Sequence, residues 1–127
     1  PASAAAAEIK SISAGEAHSA AVSGTVTLID VRTPSEWAMT GLPEGAIGAD
    51  MHEPDFVDRV IGAVAGDFDA PVALICRTGR RSHQAAQDLA ESGFTNLLNV
   101  SEGMAGRAGA GQGWIAHGLP TARYEAD

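Results

Sequence analysis

Apolar positions recur along this chain in two rhythms. Short runs rich in Val, Ile and Leu fall at 8–12, 25–31, 46–49, 71–75 and 96–100. They read as strands, and the most uniformly apolar of them leave no side for solvent. Between them the spacing turns helical. Phe56, Val57, Val60, Ile61 and Val64 share one face over 53–66, and Ala85, Ala86 and Leu89 share one after residue 79. Polar residues punctuate the transitions. Ser13-Ala14-Gly15-Glu16 and Thr33-Pro34-Ser35-Glu36 each place a hydroxyl three residues before a glutamate, the reciprocal arrangement that satisfies the orphan N–H groups of a helix start. Pro34 suits the first helical position, in a short helix that carries Trp37 and ends near Gly41. Gly24 closes the first helix, and Gly93 supplies a left-handed cap after the last. Alternating strands and helices predict one α/β domain: a mainly parallel central sheet flanked by helices, 8–12 at its edge and 96–100 its last strand. The glycine-rich stretch 103–118 offers only Trp114 and Ile115, with Leu119 beyond it, as large apolar anchors, and both Trp37 and Trp114 are expected in the core.

Length and charge narrow the function. The chain has 127 residues, enough for a single core; the domain is expected over 8–122, with 1–7 as a disordered leader or cloning remnant and 123–127 as a tail. A formal net charge of −8 and no basic run outside 77–81 argue against nucleic acid or an anionic membrane as partners. No apolar stretch nears the ~20 residues that span a bilayer. One cysteine excludes an intrachain disulfide and favours a reducing compartment, so the expected localisation is cytoplasmic, with the periplasm open if a signal peptide was removed. The four histidines show no ligand spacing, and no metal is indicated.

That cysteine, Cys76, follows the apolar run 71–75 and heads Cys76-Arg77-Thr78-Gly79-Arg80-Arg81-Ser82. Three of the chain's eight Lys and Arg residues crowd positions 77–81, so positive potential concentrates where the global charge is negative. Strand, glycine turn and helix in sequence aim backbone N–H groups at the sulfur and favour a thiolate nucleophile acting on an anion. Arg77 and Arg81 are the expected anion anchors, Arg80 ranks below them, and Thr78, Gly79 and Ser82 complete the cradle. His83 is a surface helix position, or an imidazolium beside the sulfur. Asp30 and Arg32, at the end of the strand 25–31, form either a structural pair, Asp30 bonding backbone and Arg32 meeting Glu36, or the border of the pocket.

These residues resemble the single-domain rhodaneses, sulfurtransferases whose reactive cysteine heads a six-residue loop. The likeness runs from about Ile9 to Pro120: Leu28-Ile29-Asp30-Val31-Arg32 with Glu36-Trp37, then Gly45-Ala46-Ile47, the loop itself, Gly93-Phe94, and Gly118-Leu119-Pro120. Leu42 stands where many members have histidine, and Glu102-Gly103-Met104 replaces paired glycines, departures expected to leave the nucleophile untouched but to alter packing beside the loop. The resemblance implies a three-layer rhodanese-like fold and transfer of sulfane sulfur through a persulfide on Cys76. The donor would be thiosulfate or another small anion, and the acceptor cyanide, a thiol or a protein. No cofactor is needed, since the cysteine carries the group. Two rivals are weighed against it. Cysteine phosphatases hold five residues between cysteine and arginine; here Arg81 comes one place early, making a smaller cradle that favours a single transferable sulfur over a phosphoryl group. A non-catalytic or redox-sensing interaction module would keep the fold and use Cys76 only as an oxidisable thiol.

Overall fold

A computed structural model describes residues 8–125, so the expected leader at 1–7 and the last two residues of the expected tail lie outside the described residues. In chain order the elements are β1 (Ile9–Ile12), α1 (Ala14–Ser23), β2 (Thr27–Asp30), α2 (Pro34–Thr40), β3 (Leu42–Pro43), β4 (Ala46–Gly48), α3 (Phe56–Ala63), β5 (Val72–Ile75), α4 (Arg80–Glu91), β6 (Leu97–Val100) and β7 (Thr121–Ala122). Five strands form a parallel sheet in the order β1-β6-β5-β2-β4, with β1 at one edge as expected.

Both capping boxes form. The Ser13 hydroxyl accepts the Glu16 N–H at 3.1 Å, and Thr33 accepts that of Glu36 at 3.4 Å, while each glutamate accepts the cap residue's own N–H. Gly24 ends α1 in the left-handed region at φ 81°. Alternation along β5 divides the core. Val72 and Leu74 join Phe56, Val60, Ala85 and Leu89 on the face covered by α3 and α4. Ala73 and Ile75 join Ala14, Ala17, Met104 and Trp114 on the other. The result is three layers around a sheet whose central strand is buried throughout.

Three expectations need correction. The helix expected over 53–66 spans only Phe56–Ala63, because Asp50 draws the chain into a turn: its carboxylate accepts the His52 N–H at 2.9 Å and its carbonyl that of Glu53 at 3.1 Å. Strand β6 is not the last, since β7 pairs antiparallel with β3, Leu42 opposite Ala122; strands of two residues carry no readable periodicity. Trp37 and Trp114 are core residues, but Ile115 is 51% exposed. Within the expected tail, Tyr124 packs edge-on against Trp37, ring centroids 5.2 Å apart. Among the described residues no helix is long and apolar enough to cross a membrane.

Candidate active site

The site is built at the carboxyl end of β5, where Cys76 continues the strand's alternation into the α3/α4 side of the core and is 1% exposed. The chain then curls over the sulfur. Gly79 adopts φ 93° and caps α4, and a Cβ there would collide with the Ser101 carbonyl oxygen, so the turn needs glycine on both counts. From this position the Gly79 N–H donates to Cys76 Sγ at 3.1 Å. One amide, rather than several, reaches the sulfur; the second donor is a hydroxyl, Ser82 Oγ at 3.3 Å.

Ser82 is buried and has two acceptors for one proton, because Asn99 Oδ1 lies 2.5 Å from the same hydroxyl. The Asn99 amide is oriented by its other end, where Nδ2 donates to the Gly79 carbonyl at 3.1 Å, an atom that can only accept. With a neutral thiol, the S–H points to Ser82 and Ser82 to Asn99. With a thiolate, Ser82 turns its proton to the sulfur. Sequence reading missed Asn99. A polar amide inside Leu97-Leu98-Asn99-Val100 was the available signal, since a strand that buries such a side chain must also satisfy it.

The segment after β6 clamps the loop from behind. Met104 N–H donates to the Cys76 carbonyl and Ala105 N–H to that of Arg77, both at 2.9 Å, and a Cβ on Gly103 would strike the Arg77 carbonyl. The altered packing expected around Glu102-Gly103-Met104 thus reaches the backbone carbonyl of Cys76, while the sulfur's own partners come from Gly79 and Ser82. Glu102 also ties it to α1, accepting the Ala14 N–H at 2.8 Å.

The arginines divide. Arg81 is not a free anion anchor, since its guanidinium forks onto Glu36 with both N···O distances at 2.8 Å. That hydrogen-bonded guanidinium holds the Glu36 carboxyl down at about 2, and Glu36 in turn raises Arg81, with smaller contributions from the charges of Cys76 and Asp30. Arg81 is thereby steered by Glu36 of α2. Arg32 does not meet Glu36 as expected. It pairs with Asp30 at 2.8 Å in full burial, with Thr40 Oγ1 and the Gly41 carbonyl as further acceptors, while Asp30 also accepts the Arg32 N–H. Arg77 is exposed and makes no ion pair among the described residues. Arg80 and His83 point elsewhere, into a polar cleft with Ser11, Asn99, Ser101 and Arg107.

A second cleft of about 440 Å³ opens beside the loop, walled by Arg32, Glu36, Met39, Thr40, Arg77, Met104, Ala105 and Ile115. Arg32 therefore does border a pocket, and Asp30 lies behind it. Thr78, half-buried, completes the turn between Arg77 and Gly79.

The chain is similar to several known proteins. Residues 13–109 match the family model described as a rhodanese-like domain. A protein named sulfurtransferase from Allochromatium vinosum is 34% identical over 95 residues, covering 75% of this chain and 77% of that one. Thiosulfate sulfurtransferase GlpE of Pseudomonas entomophila is 33% identical over 97 residues, covering 76% and 82%. The crystal structure of Rv0390 from M. tuberculosis superposes with a TM-score of 0.68 at 26% identity, covering 90% and 97%. With the family model spanning most of its length and relatives of this identity beside it, the chain belongs to the rhodanese-like sulfurtransferase family.

Proposed function

We propose that this protein transfers sulfane sulfur from a small anionic donor such as thiosulfate to a thiophilic acceptor, through a persulfide on Cys76. The observation that carries the reading is the sulfur itself, held under a turn that offers it the Gly79 N–H and the Ser82 hydroxyl. In the first step the Cys76 thiolate attacks the outer sulfur of thiosulfate, the S–S bond breaks, and sulfite leaves with the electron pair. Gly79 and Ser82 are placed to stabilise the anion that forms, and Arg81, steered by Glu36, adds positive potential. Arg77, unpaired at the mouth, meets the incoming anion. In the second step cyanide or a thiolate attacks the outer persulfide sulfur and regenerates Cys76. A lone nucleophilic thiol fits a reducing compartment, and we place the reaction in the cytoplasm.

Thiosulfate with cyanide should give thiocyanate, with no turnover in Cys76→Ser. Turnover of an aryl phosphate, lost in the same variant, would instead favour phosphoryl chemistry and overturn the reading drawn from loop length.

A further inference from the structure

The polar cleft that receives Arg80 has a volume of about 480 Å³ and a wall made of donors. Arg80, His83 and Arg107 stand exposed in it, and no acidic residue does. Neither guanidinium is in an ion pair among the described residues, in a chain of net charge −8 that pairs Arg32, Arg59, Arg81 and Arg123. Two uncompensated cations facing one cleft repel each other until an anion lies between them. Ser11 and Ser101 add two hydroxyls. Asn99 makes the cleft more than a charged surface. Its side chain reaches the wall although the residue is only 5% exposed, and its amide carries two N–H bonds. One is given to the Gly79 carbonyl at 3.1 Å; the other has no acceptor among the described residues, a buried demand that a ligand oxygen can meet. Helix α4 begins at the same place, with Gly79 as its cap, and adds the positive end of its dipole.

We infer that this cleft binds a diphosphate, free or at the end of a larger molecule, and that the bound anion damps the reactivity of Cys76. Guanidinium forks match phosphoryl oxygens, so Arg80 and Arg107 can each take one phosphate, and the cleft is larger than a single phosphate fills. Coupling to the sulfur runs through two residues of the wall. Gly79 donates its N–H to Cys76 Sγ at 3.1 Å. Asn99 bonds both the Gly79 carbonyl and the Ser82 hydroxyl, which is the sulfur's other donor. An anion in the cleft draws on the same amide and adds negative charge beside the turn, which opposes the thiolate.

Pyrophosphate and ADP, without metal, are titrated by calorimetry into the full chain at low ionic strength, with inorganic phosphate as comparator. Pyrophosphate should bind at one site, at least about tenfold tighter than phosphate, because it engages a second guanidinium. ADP binding tighter than pyrophosphate supports a diphosphate carried on a larger body, and ADP binding more weakly supports the free anion. Arg80→Ala and Arg107→Ala remove exposed side chains outside the core and should each weaken pyrophosphate at least about tenfold. Arg77→Ala should leave it within about twofold, as a charge outside the cleft is screened. Saturating pyrophosphate should slow alkylation of Cys76 by the neutral reagent iodoacetamide at least about threefold in the wild type, and at the same concentration should not do so in Arg107→Ala. No binding, no preference over phosphate, or an affinity unmoved by both variants overturns the site. An affinity that falls chiefly in Arg77→Ala puts the anion at the mouth of the loop and overturns it too. Binding that leaves alkylation unchanged, or slowing kept in full by Arg107→Ala, overturns the coupling to Cys76. None of these outcomes bears on the persulfide, which is tested by sulfur uptake.

Discussion

Replacing Asn99 by alanine removes the one side chain that ties the Cys76 loop to β6, and its cost can be worked bond by bond. Two hydrogen bonds disappear: Ser82 Oγ to Asn99 Oδ1 at 2.5 Å, and Asn99 Nδ2 to the Gly79 carbonyl at 3.1 Å. Neither loss orphans a buried group. The Ser82 hydroxyl keeps Cys76 Sγ at 3.3 Å as acceptor, and the Gly79 carbonyl keeps the His83 N–H at 3.3 Å. At about 0.5–1.5 kcal/mol for each net bond, with no desolvated partner left over, the expected loss is about 1–3 kcal/mol. Urea denaturation measures it directly: the midpoint should fall by about 1 M while the slope stays constant, since the surface exposed on unfolding hardly changes. A double-mutant cycle with Ser82→Ala isolates the Ser82–Asn99 bond, with an expected coupling of about 0.5–1.5 kcal/mol. A loss above about 4 kcal/mol would mean that a buried group had been orphaned after all. Additive effects of the two substitutions would show that the hydroxyl and the amide are not bonded.

Two further outcomes follow from the ion pairs. Because Arg81 holds the Glu36 carboxyl at about 2, below its ordinary 4.5, the pair's stabilisation is complete above pH 4.5 and lost as pH falls toward 2. Glu36→Gln should therefore cost about 1 kcal/mol at neutral pH, after allowance for solvent screening, and the difference from wild type should close across that window in acid melts; a pH-independent difference would contradict the assignment. Asp30→Asn leaves the Arg32 guanidinium uncompensated in full burial and should cost about 3–5 kcal/mol, lowering Tm by about 10–20 °C. Asp30→Leu combined with Arg32→Met should recover much of that, and a single-variant cost below about 1 kcal/mol would show the pair to be solvated.

Local signals in the sequence proved faithful where one short segment decides the outcome. Ser13 with Glu16 and Thr33 with Glu36 specify helix starts through contacts three residues apart, and Gly79 declares a turn that no other residue could make beside Ser101. The same glutamate shows where such reading stops. Glu36 is legible as a cap, yet its stronger partner is Arg81, 45 residues away, brought to it only when α2 and α4 pack at the same end of the sheet. Crowded arginines at 77–81 suggested an anion site in the sequence, but their separation depended on the turn that holds Arg77 before Gly79 and on the helix phase that sends Arg81 to Glu36 and Arg80 to another cleft. Arg32 pairs with Asp30 rather than Glu36 because Asp30 closes the buried strand β2 and Arg32 lies two residues beyond it, where no water competes for the carboxylate. The pairing of β3 with β7 was invisible because it joins two dipeptides some eighty residues apart.

The central claim, a transferable persulfide on Cys76, is tested most directly by the intact mass of the protein after thiosulfate in the absence of any acceptor. The wild type should gain one sulfur atom, lose it again on adding cyanide or sulfite, and Cys76→Ser should gain none. A wild-type protein that stays at its original mass under reductant-free conditions, with thiosulfate and with an organic persulfide alike, would contradict the account.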